Sequence, residues 1–265
     1  MKLGIMQPYF LPYIGYWQLL NAVDRYVIYD DVNFINRGWI NRNRILIGGK
    51  PAYFNLPVLG ASQNKLIKDI QVNHDRRLLN KSLKTIELTY KKAPFFEAVF
   101  PLMVLILNCR QESLSDFLQN SIELICQYLE IETGLVVSSA LKKNNDLKGE
   151  EKILEICSLL KVSEYYNAIG GWKLYSSERF REKGIELKFL KTAPIVYTQF
   201  NNEFQPNLSI LDVMMFNPVP KIKKMLENWN YSGWNPDAFR SRHPSARKVE
   251  GHGDRGNLFC QGRYS

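Results

Sequence analysis

Short apolar runs alternate with helix-spaced apolar positions at the start of the chain. Lys2–Met6 and Tyr26–Tyr29 are continuous apolar runs of strand length. Between them, apolar residues recur at helical spacing after Pro12, a residue that suits the first turn of a helix. The order strand, loop, helix, strand predicts a βαβ unit.

A second unit of the same kind follows later in the chain. Glu164–Ile169 is predicted to be a strand that ends at Gly170 and Gly171, Ser176–Lys183 a helix, and Ile185–Leu190 the next strand. Two such units predict an α/β fold with a mainly parallel sheet and helices on both faces.

The remaining pattern predicts a polar loop, further short strands and several helices. These are the loop Asn33–Asn43, the strands Arg44–Ile47, Ala52–Val58 and Leu135–Ser138, and the helices Arg76–Tyr90, Pro94–Leu107, Leu114–Leu129 (with Ser113 as its N-cap), Glu150–Leu160, Leu208–Phe216 and Lys221–Asn228. We expect one α/β domain over residues 1–228 with a helical subregion at 76–130. Residues 229–265, rich in Gly, Ser, Arg and Pro, are expected to form an irregular or disordered tail.

Charge and cysteine content restrict the classes of function. The net charge is +9, and the tail carries three of these charges. Without a long basic run interleaved with aromatics, nucleic-acid binding is disfavoured. Anionic small molecules such as nucleotide phosphates also fit the excess, and an ordinary solvated basic surface is favoured over both. No CxxC pair exists, and Cys126 and Cys157 lie in apolar helical runs, as buried free thiols do. With no secretory signal and no run near the ~20 apolar residues of a membrane span, we expect a cytoplasmic protein.

The first candidate site is the proline-rich segment after the first strand. Gln7, Tyr9 and Gly15 lie between a strand and a helix, where open α/β sheets bind ligands. Gln7 offers both a donor and an acceptor, and Gly15 would let a ligand approach closely. The alternative is a rigid turn that packs its aromatic side chains inward.

The second candidate is the pair Asp30 and Asp31 at the end of the second predicted strand. A carboxylate there could act as a general base, bind hydroxyls or hold a metal. Because neighbouring strand residues point to opposite faces, at most one of the two would face a given pocket. Ordinary turn-initiating aspartates are the alternative.

Two arginines form the third candidate. Arg42 and Arg44, with Trp39 and Asn43 beside them, could clamp phosphate or carboxylate from a loop that faces the same sheet end. Surface charge is the alternative.

Two weaker candidates lie in the second half of the chain. Gly170 and Gly171 with Tyr175 could let backbone N–H groups meet a ligand oxygen, although such a pair is usually only a turn. Ser209 and Asp212 could bind substrate, or Ser209 could cap a helix and Asp212 favour its first turn.

Histidine is scarce, with only His74, His243 and His252 in the chain. This gives little support to a Ser-His-Asp or Cys-His mechanism and none to zinc. No metal ligands are assigned, and the sequence does not identify a cofactor. If the protein is an enzyme, carboxylates, arginines, tyrosines and backbone groups must carry the chemistry. Asp30, Asp31 and Gln7 are the predicted catalytic residues.

Several blocks together resemble the WbqC-like family. The matching blocks are Met6–Tyr16, Val27–Phe34, Trp39–Ile45, Tyr90–Phe96, Gly170-Gly171 with Tyr175, and Phe204–Asp212. The resemblance covers residues 1–228. Many members carry His where this chain has Met6, so no general base is placed there.

The resemblance implies a bacterial protein from a surface-polysaccharide (O-antigen) setting. We therefore hypothesise a transferase that acts on a nucleotide-linked sugar or an activated acyl or aminoacyl donor. A nucleotidyltransferase-like nucleotide-binding enzyme is one alternative, and a non-catalytic binding or scaffolding protein of a polysaccharide-assembly complex is another.

Overall fold

The computed structural model describes residues 1–200 and 203–232. Within these ranges the strands are β1 (Lys2–Met6), β2 (Arg25–Ile28), β3 (Arg42–Ile47), β4 (Lys50–Asn55), β5 (Val58–Leu59), β6 (Gln71–Val72), β7 (Gly134–Val137), β8 (Glu164–Ala168), β9 (Glu186–Thr192) and β10 (Trp229–Ser232). The α-helices are α1 (Ile14–Asn21), α2 (Arg76–Tyr90), α3 (Phe96–Leu107), α4 (Leu114–Leu129), α5 (Gly149–Leu159), α6 (Ser177–Glu182), α7 (Ile210–Phe216) and α8 (Val219–Glu227).

A six-stranded sheet organises the molecule, in the order β10-β9-β8-β1-β2-β7. The strands β9, β8, β1, β2 and β7 are parallel to one another, and β10 pairs antiparallel with β9. The predicted α/β fold with a mainly parallel sheet is therefore confirmed. Crossover helices connect the parallel strands, as this geometry requires.

Apolar side chains cover both faces of the sheet, which is why its strands are continuous apolar runs. One core contains residues of α1, α4, α7 and α8, with Trp17 and Tyr26 among its fully buried members. The other lies under α5 and α6 and contains Leu3, Ile5 and Phe180. Cys126 and Cys157 are buried, one in each core, and burial raises the pKa of both thiols to about 12.

The chain between β2 and β7 forms a large insertion on the face of the sheet that α1, α7 and α8 cover, which we call the first face; α5 and α6 cover the second face. It contains the antiparallel hairpin β3–β4, the short pair β5–β6 and the helices α2, α3 and α4. The loop after β1 packs against this insertion, because the Phe10 amide donates to the Ile40 carbonyl at 2.9 Å and the Phe10 ring stacks on Phe54. The insertion therefore buttresses the segment that follows the first strand.

Three local predictions need correction. Residues 229–232 were expected to begin an irregular tail but form the edge strand β10; the rest of that tail, 233–265, lies outside the described residues. Ser113 occupies the N-cap position of α4 but makes no cap hydrogen bond, and its hydroxyl donates to the Lys68 carbonyl. Strand β3 begins at Arg42, so Arg42 and Asn43 belong to a hairpin rather than to the predicted loop.

Candidate functional site

The carboxyl ends of β1 and β8 form the point where the direction of chain winding reverses. From β1 the chain passes through α1 to β2 on one side, whereas β8 leads through α6 to β9 on the other. Strands that diverge in this way leave a crevice between the loops that follow them, and open α/β folds bind ligands there. We call this place the β1–β8 crevice.

A small enclosed cavity of about 20 Å³ lies at the β1–β8 crevice, which is room for about one water molecule. Its lining is mainly apolar, and the polar groups in it come from Gln7, Tyr29, Asn167 and Tyr175. Gln7 follows β1 directly and is 3% exposed, yet its Oε1 atom has no hydrogen-bond partner. A buried acceptor left unpaired costs about 1–3 kcal/mol, so this atom is suited to a donor from outside the protein.

The opposite wall of the cavity contains Gly171, where only glycine allows the close packing. A Cβ atom on Gly171 would lie 3.0 Å from the Nδ2 atom of Asn167, so glycine lets the two segments approach closely. Burial raises the pKa of Tyr175, which keeps its hydroxyl protonated as a donor. Gly170, beside it, is exposed.

A charged cluster lies beside the cavity at the end of β2. Asp31 is buried, and its Oδ2 atom lies 2.7 Å from Lys143 Nζ and 2.9 Å from Lys152 Nζ. Lys152 also donates to the Asp31 carbonyl at 2.9 Å and lies over the Tyr29 ring, which lines the cavity. Two cations therefore share one carboxylate, and the cluster carries an excess of one positive charge. We call these three residues the lysine–aspartate cluster.

The lysine pair controls the charge of Asp31. Burial by itself raises the pKa of this carboxyl, but hydrogen bonding by Lys143, Ser138 and Lys152 outweighs burial. The pKa of Asp31 therefore lies below its ordinary value, and the group stays ionised in the folded protein.

Asp30 points to the other face of the sheet, as the alternation of strand side chains predicts. Its carboxylate accepts hydrogen bonds from the Ser115 hydroxyl at 3.1 Å and from the Ser139 hydroxyl at 2.6 Å. Ser115 belongs to α4 on the first face, whereas Lys152, the partner of Asp31, belongs to α5 on the second. The Ser139 amide also donates to Asp30 at 2.9 Å, which fixes the turn after β7.

The two predicted arginines contact the hairpin, the loop before it and the segment before α7. The Arg42 guanidinium lies 4.3 Å from the centre of the Tyr53 ring and donates through Nε to the Gly38 carbonyl. The Arg44 guanidinium lies 5.8 Å from the Trp39 ring and donates to the Asn207 carbonyl at 3.4 Å. These contacts hold both guanidinium groups within the protein, and a clamp on phosphate or carboxylate stays a prediction.

Asn43 and Gly15 support the segment after β1. Asn43 is buried and donates to the Phe10 carbonyl. A Cβ atom on Gly15 would lie 2.5 Å from both the Tyr13 ring and the Thr192 hydroxyl, so this glycine accommodates protein atoms. Tyr9 is buried with its ring 5.6 Å from that of Tyr16.

Ser209 and Asp212 are buried at the start of α7. Ser209 caps the helix by accepting from the Leu211 amide, and its hydroxyl donates to the Leu11 carbonyl at 2.7 Å. Asp212 accepts from Tyr197 at 2.6 Å, Tyr90 at 2.8 Å and Gln199 at 2.7 Å. Burial raises the pKa of Asp212 despite these bonds.

Sequence reasoning missed Asn167, Lys143 and Lys152. Lys152 gave a signal: it lies four residues before Ile156, so both occupy one helix face, and a lysine on an apolar face needs a buried partner. Lys143 gave no such signal, because a polar loop around a lysine is typical of an exposed turn. Among the described residues, no group of three His, Cys, Asp or Glu side chains could hold a metal ion.

Comparison with known proteins supports the assignment suggested by the sequence blocks. The model of the WbqC-like protein family matches residues 7–224. The chain belongs to this family. The matched region contains the β1–β8 crevice, the lysine–aspartate cluster and the hairpin.

A similar protein is the uncharacterized protein Rv1507c of Mycobacterium tuberculosis. This relative is 26% identical to the WbqC-like chain over 217 residues, which span 80% of this chain and 92% of the relative. No solved structure matches the chain. Within the described ranges, the helices are too short or too polar to cross a membrane.

Proposed function

We propose that this WbqC-like protein is a transferase that acts on a nucleotide-linked sugar or an activated acyl or aminoacyl donor in bacterial surface-polysaccharide synthesis. In this proposal the donor binds at the β1–β8 crevice. The observation that supports it best is the unpaired Oε1 atom of Gln7, buried at the point of the sheet where α/β proteins bind ligands.

The polar lining of the crevice suits the uncharged part of such a donor. Gln7 supplies a free acceptor and Tyr175 a hydroxyl group, whereas the Asn167 amide already bonds to the Tyr165 hydroxyl and the Ala168 amide. A hydroxyl or amide N–H of the donor that reached Gln7 Oε1 would remove the cost of the unpaired acceptor. Groups of this kind are common to sugars, bases and acyl carriers.

The lysine–aspartate cluster suits the charged part of the donor. Lys143 and Lys152 share the single carboxylate of Asp31, so a phosphate or carboxylate would find two cations and only one competing anion. In the proposed reaction the lysines stabilise charge on the leaving group. Asp31 then accepts the proton that the acceptor hydroxyl or amine loses as it attacks the donor.

Donor binding requires the site to open. A cavity of about 20 Å³ cannot hold a nucleotide, because ligand pockets usually measure about 300–1,000 Å³. Lys143 lies in the segment between β7 and α5, and its ammonium group links that segment to Asp31. Movement of this segment would uncover the lysine–aspartate cluster beside the cavity.

Thermal shift and calorimetry with purified protein test the proposal. A donor at 100 times its Kd adds about 2.7 kcal/mol, which corresponds to roughly 5–10 °C for a chain of this size. We expect a shift with nucleotide sugars or with acyl thioesters of coenzyme A. No shift from either class would contradict the proposal, and binding without turnover would favour a non-catalytic binding role.

A pair of glutamine variants locates the binding site. Gln7→Leu removes the free acceptor without breaking a hydrogen bond of Oε1, so the variant should fold but lose the donor-induced shift. Gln127→Leu, on the exposed side of α4, makes the same chemical change away from the site and should keep the shift. Equal donor affinities in the two variants would exclude the crevice.

A further inference from the structure

Strand β7 forms one edge of the six-stranded sheet. It pairs with β2 on one side, and within the part of the chain that the structure describes no strand pairs with its other side. Its apolar residues Leu135, Val136 and Val137 are all partly exposed, whereas the interior strands β1 and β2 are buried after their first residue. The outer side of β7 therefore reaches the surface of the protein.

The direction of the backbone groups in β7 follows from one hydrogen bond. The Gly134 amide donates to the Asp24 carbonyl at 3.1 Å, so the backbone groups of Gly134 face β2. Neighbouring residues of a strand direct these groups to opposite sides, so the N–H and C=O groups of Leu135 and Val137 face outward. Among the described residues, no other segment bonds to these outward groups. Unpaired backbone groups at a sheet edge are a template for another strand.

The two ends of β7 carry opposite charge. An open polar depression of about 460 Å³ lies at the amino end of β7, and its charged side chains are Asp24, Glu130, Glu132 and Lys223. We call it the acidic depression. Residues 138–148, which follow β7, contain three lysines and one aspartate, and we call them the lysine segment. In this segment Lys142 is exposed and forms no ion pair with any described residue.

We propose that two copies of this chain pair through β7, in antiparallel orientation about a twofold axis. A twofold axis brings the same surface of both copies together, so that surface must be complementary to itself. The edge of β7 meets this condition, because antiparallel pairing places the acidic depression of each copy against the lysine segment of the other. Parallel pairing would bring like charges together. This pairing is separate from donor binding at the β1–β8 crevice.

The outward groups fix the register of the pairing. Leu135 of each copy would exchange two hydrogen bonds with the partner's Val137, which uses every outward N–H and C=O group of both strands in four bonds. Val136 then lies on the axis, opposite the partner's Val136. This central pair is of the non-hydrogen-bonded kind, with Cα atoms about 4.5 Å apart.

Oxidative cross-linking of the full chain tests this register. Val136→Cys places two thiols across the axis at a Cα separation within the range of about 4.4–6.8 Å that disulfides span. Oxidation should therefore give a covalent dimer of twice 30.9 kDa. Leu135→Cys is the matched control, because its diagonal mate lies about 7–8 Å away, and it should give no more dimer than the native cysteines give in the wild type. Equal cross-linking in both variants, or none in either, would overturn the proposal.

Sedimentation of the full chain measures the dimer without a cross-link. Val137→Pro removes an outward N–H at a residue whose φ of −88° is near that of proline, and so leaves the pairing with β2 intact. The dimer loses two of its four bonds, at about fivefold in affinity each, so its dissociation constant should rise about 25-fold or more. Val137→Ala keeps the N–H and should change the constant much less. A wild type that is monomeric at every concentration, or a folded proline variant with unchanged affinity, would overturn the proposal.

A pair of charge variants covers the case in which the proline variant fails to fold. Lys142→Glu reverses an exposed charge that would face the partner's acidic depression. Lys183→Glu makes the same change at the exposed C-cap of α6. At about 0.1 M salt, where the Debye length is about 10 Å, only the first variant should weaken the dimer. Equal dissociation constants for the two variants would contradict the antiparallel arrangement.

Discussion

The Oδ2 atom of Asp31 lies 2.7 Å from the Nζ atom of Lys143, and both side chains are buried. The contact joins the end of β2 to the segment between β7 and α5, which are distant in the sequence and adjacent in the sheet. A buried charge without a partner lowers the stability of the fold, so separating Lys143 from Asp31 would cost free energy. The contact therefore holds the segment at the carboxyl edge of the sheet.

Asp31→Asn should destabilise the fold more than Lys143→Met. The first change leaves two buried ammonium groups without a carboxylate, and loss of one partner from a buried pair costs about 3–5 kcal/mol. The second leaves Asp31 paired with Lys152 at 2.9 Å and should cost less. Urea unfolding of the two variants measures both values, and the reverse order would contradict the assigned pairing.

The stability contributed by Asp31 should depend on pH in the acid range. Because its pKa is lowered in the folded state, this contribution is complete above the ordinary value of 3.8 and is lost as pH falls through the lower folded value. The free-energy difference between the wild type and Asp31→Asn should therefore be constant from about pH 7 to about pH 5 and shrink below about pH 4. A difference that grows on acidification would mean that the pKa of Asp31 is raised instead.

Ser209→Ala should cost about 1–2 kcal/mol of unfolding free energy, as the loss of a helix N-cap does. The Ser209 hydroxyl accepts from the Leu211 amide and donates to the Leu11 carbonyl, and both bonds are buried. Ser113→Ala is the matched control, because Ser113 occupies the N-cap position of α4 without a cap bond. Chemical denaturation should show the larger loss for Ser209→Ala, and equal losses would contradict the capping role.

Gly15→Ala should destabilise the protein by about 1–3 kcal/mol, the usual cost of overpacking a core. The added methyl would lie 2.5 Å from the Tyr13 ring and from the Thr192 hydroxyl, which would force α1 away from β9. At Gly134 the nearest atom to an added Cβ is 3.6 Å away, so Gly134→Ala is the control. Thermal unfolding compares the two variants, and an unperturbed Gly15→Ala protein would disprove the tight contact.

Most helices and strands were predictable, because each one buries a face or a run of apolar residues and the spacing of those residues shows in the sequence. The predicted helices Arg76–Tyr90 and Leu114–Leu129 match α2 and α4 at both ends, and Lys2–Met6 matches β1. Strand β10 was missed, because its short sequence Trp229–Ser232 forms a strand only by pairing with β9. Edge pairing of this kind depends on a partner elsewhere in the chain, which local pattern does not contain.

The candidate site was predictable only in part. Gln7, Asp30 and Asp31 were located at strand ends because polar residues follow apolar runs there, and the opposite directions of the two aspartates follow from strand alternation. Lys143 was not identified, since a lysine in a polar loop looks like a surface charge until the fold buries it. Lys152 lies on an apolar helix face, but that pattern does not identify Asp31 as its partner.

The sequence by itself determined the α/β class, most helices and strands, and the residues at the ends of β1 and β2, because these depend on local apolar periodicity and on proline and glycine. Only the tertiary structure decided the strand order, the position of the β1–β8 crevice and the pairing of two lysines with Asp31. The contacts of Arg42 and Arg44 with aromatic rings also became known only from the tertiary structure. These features depend on which distant segments pack together, and packing is set by long-range burial and charge pairing that no local window of sequence contains.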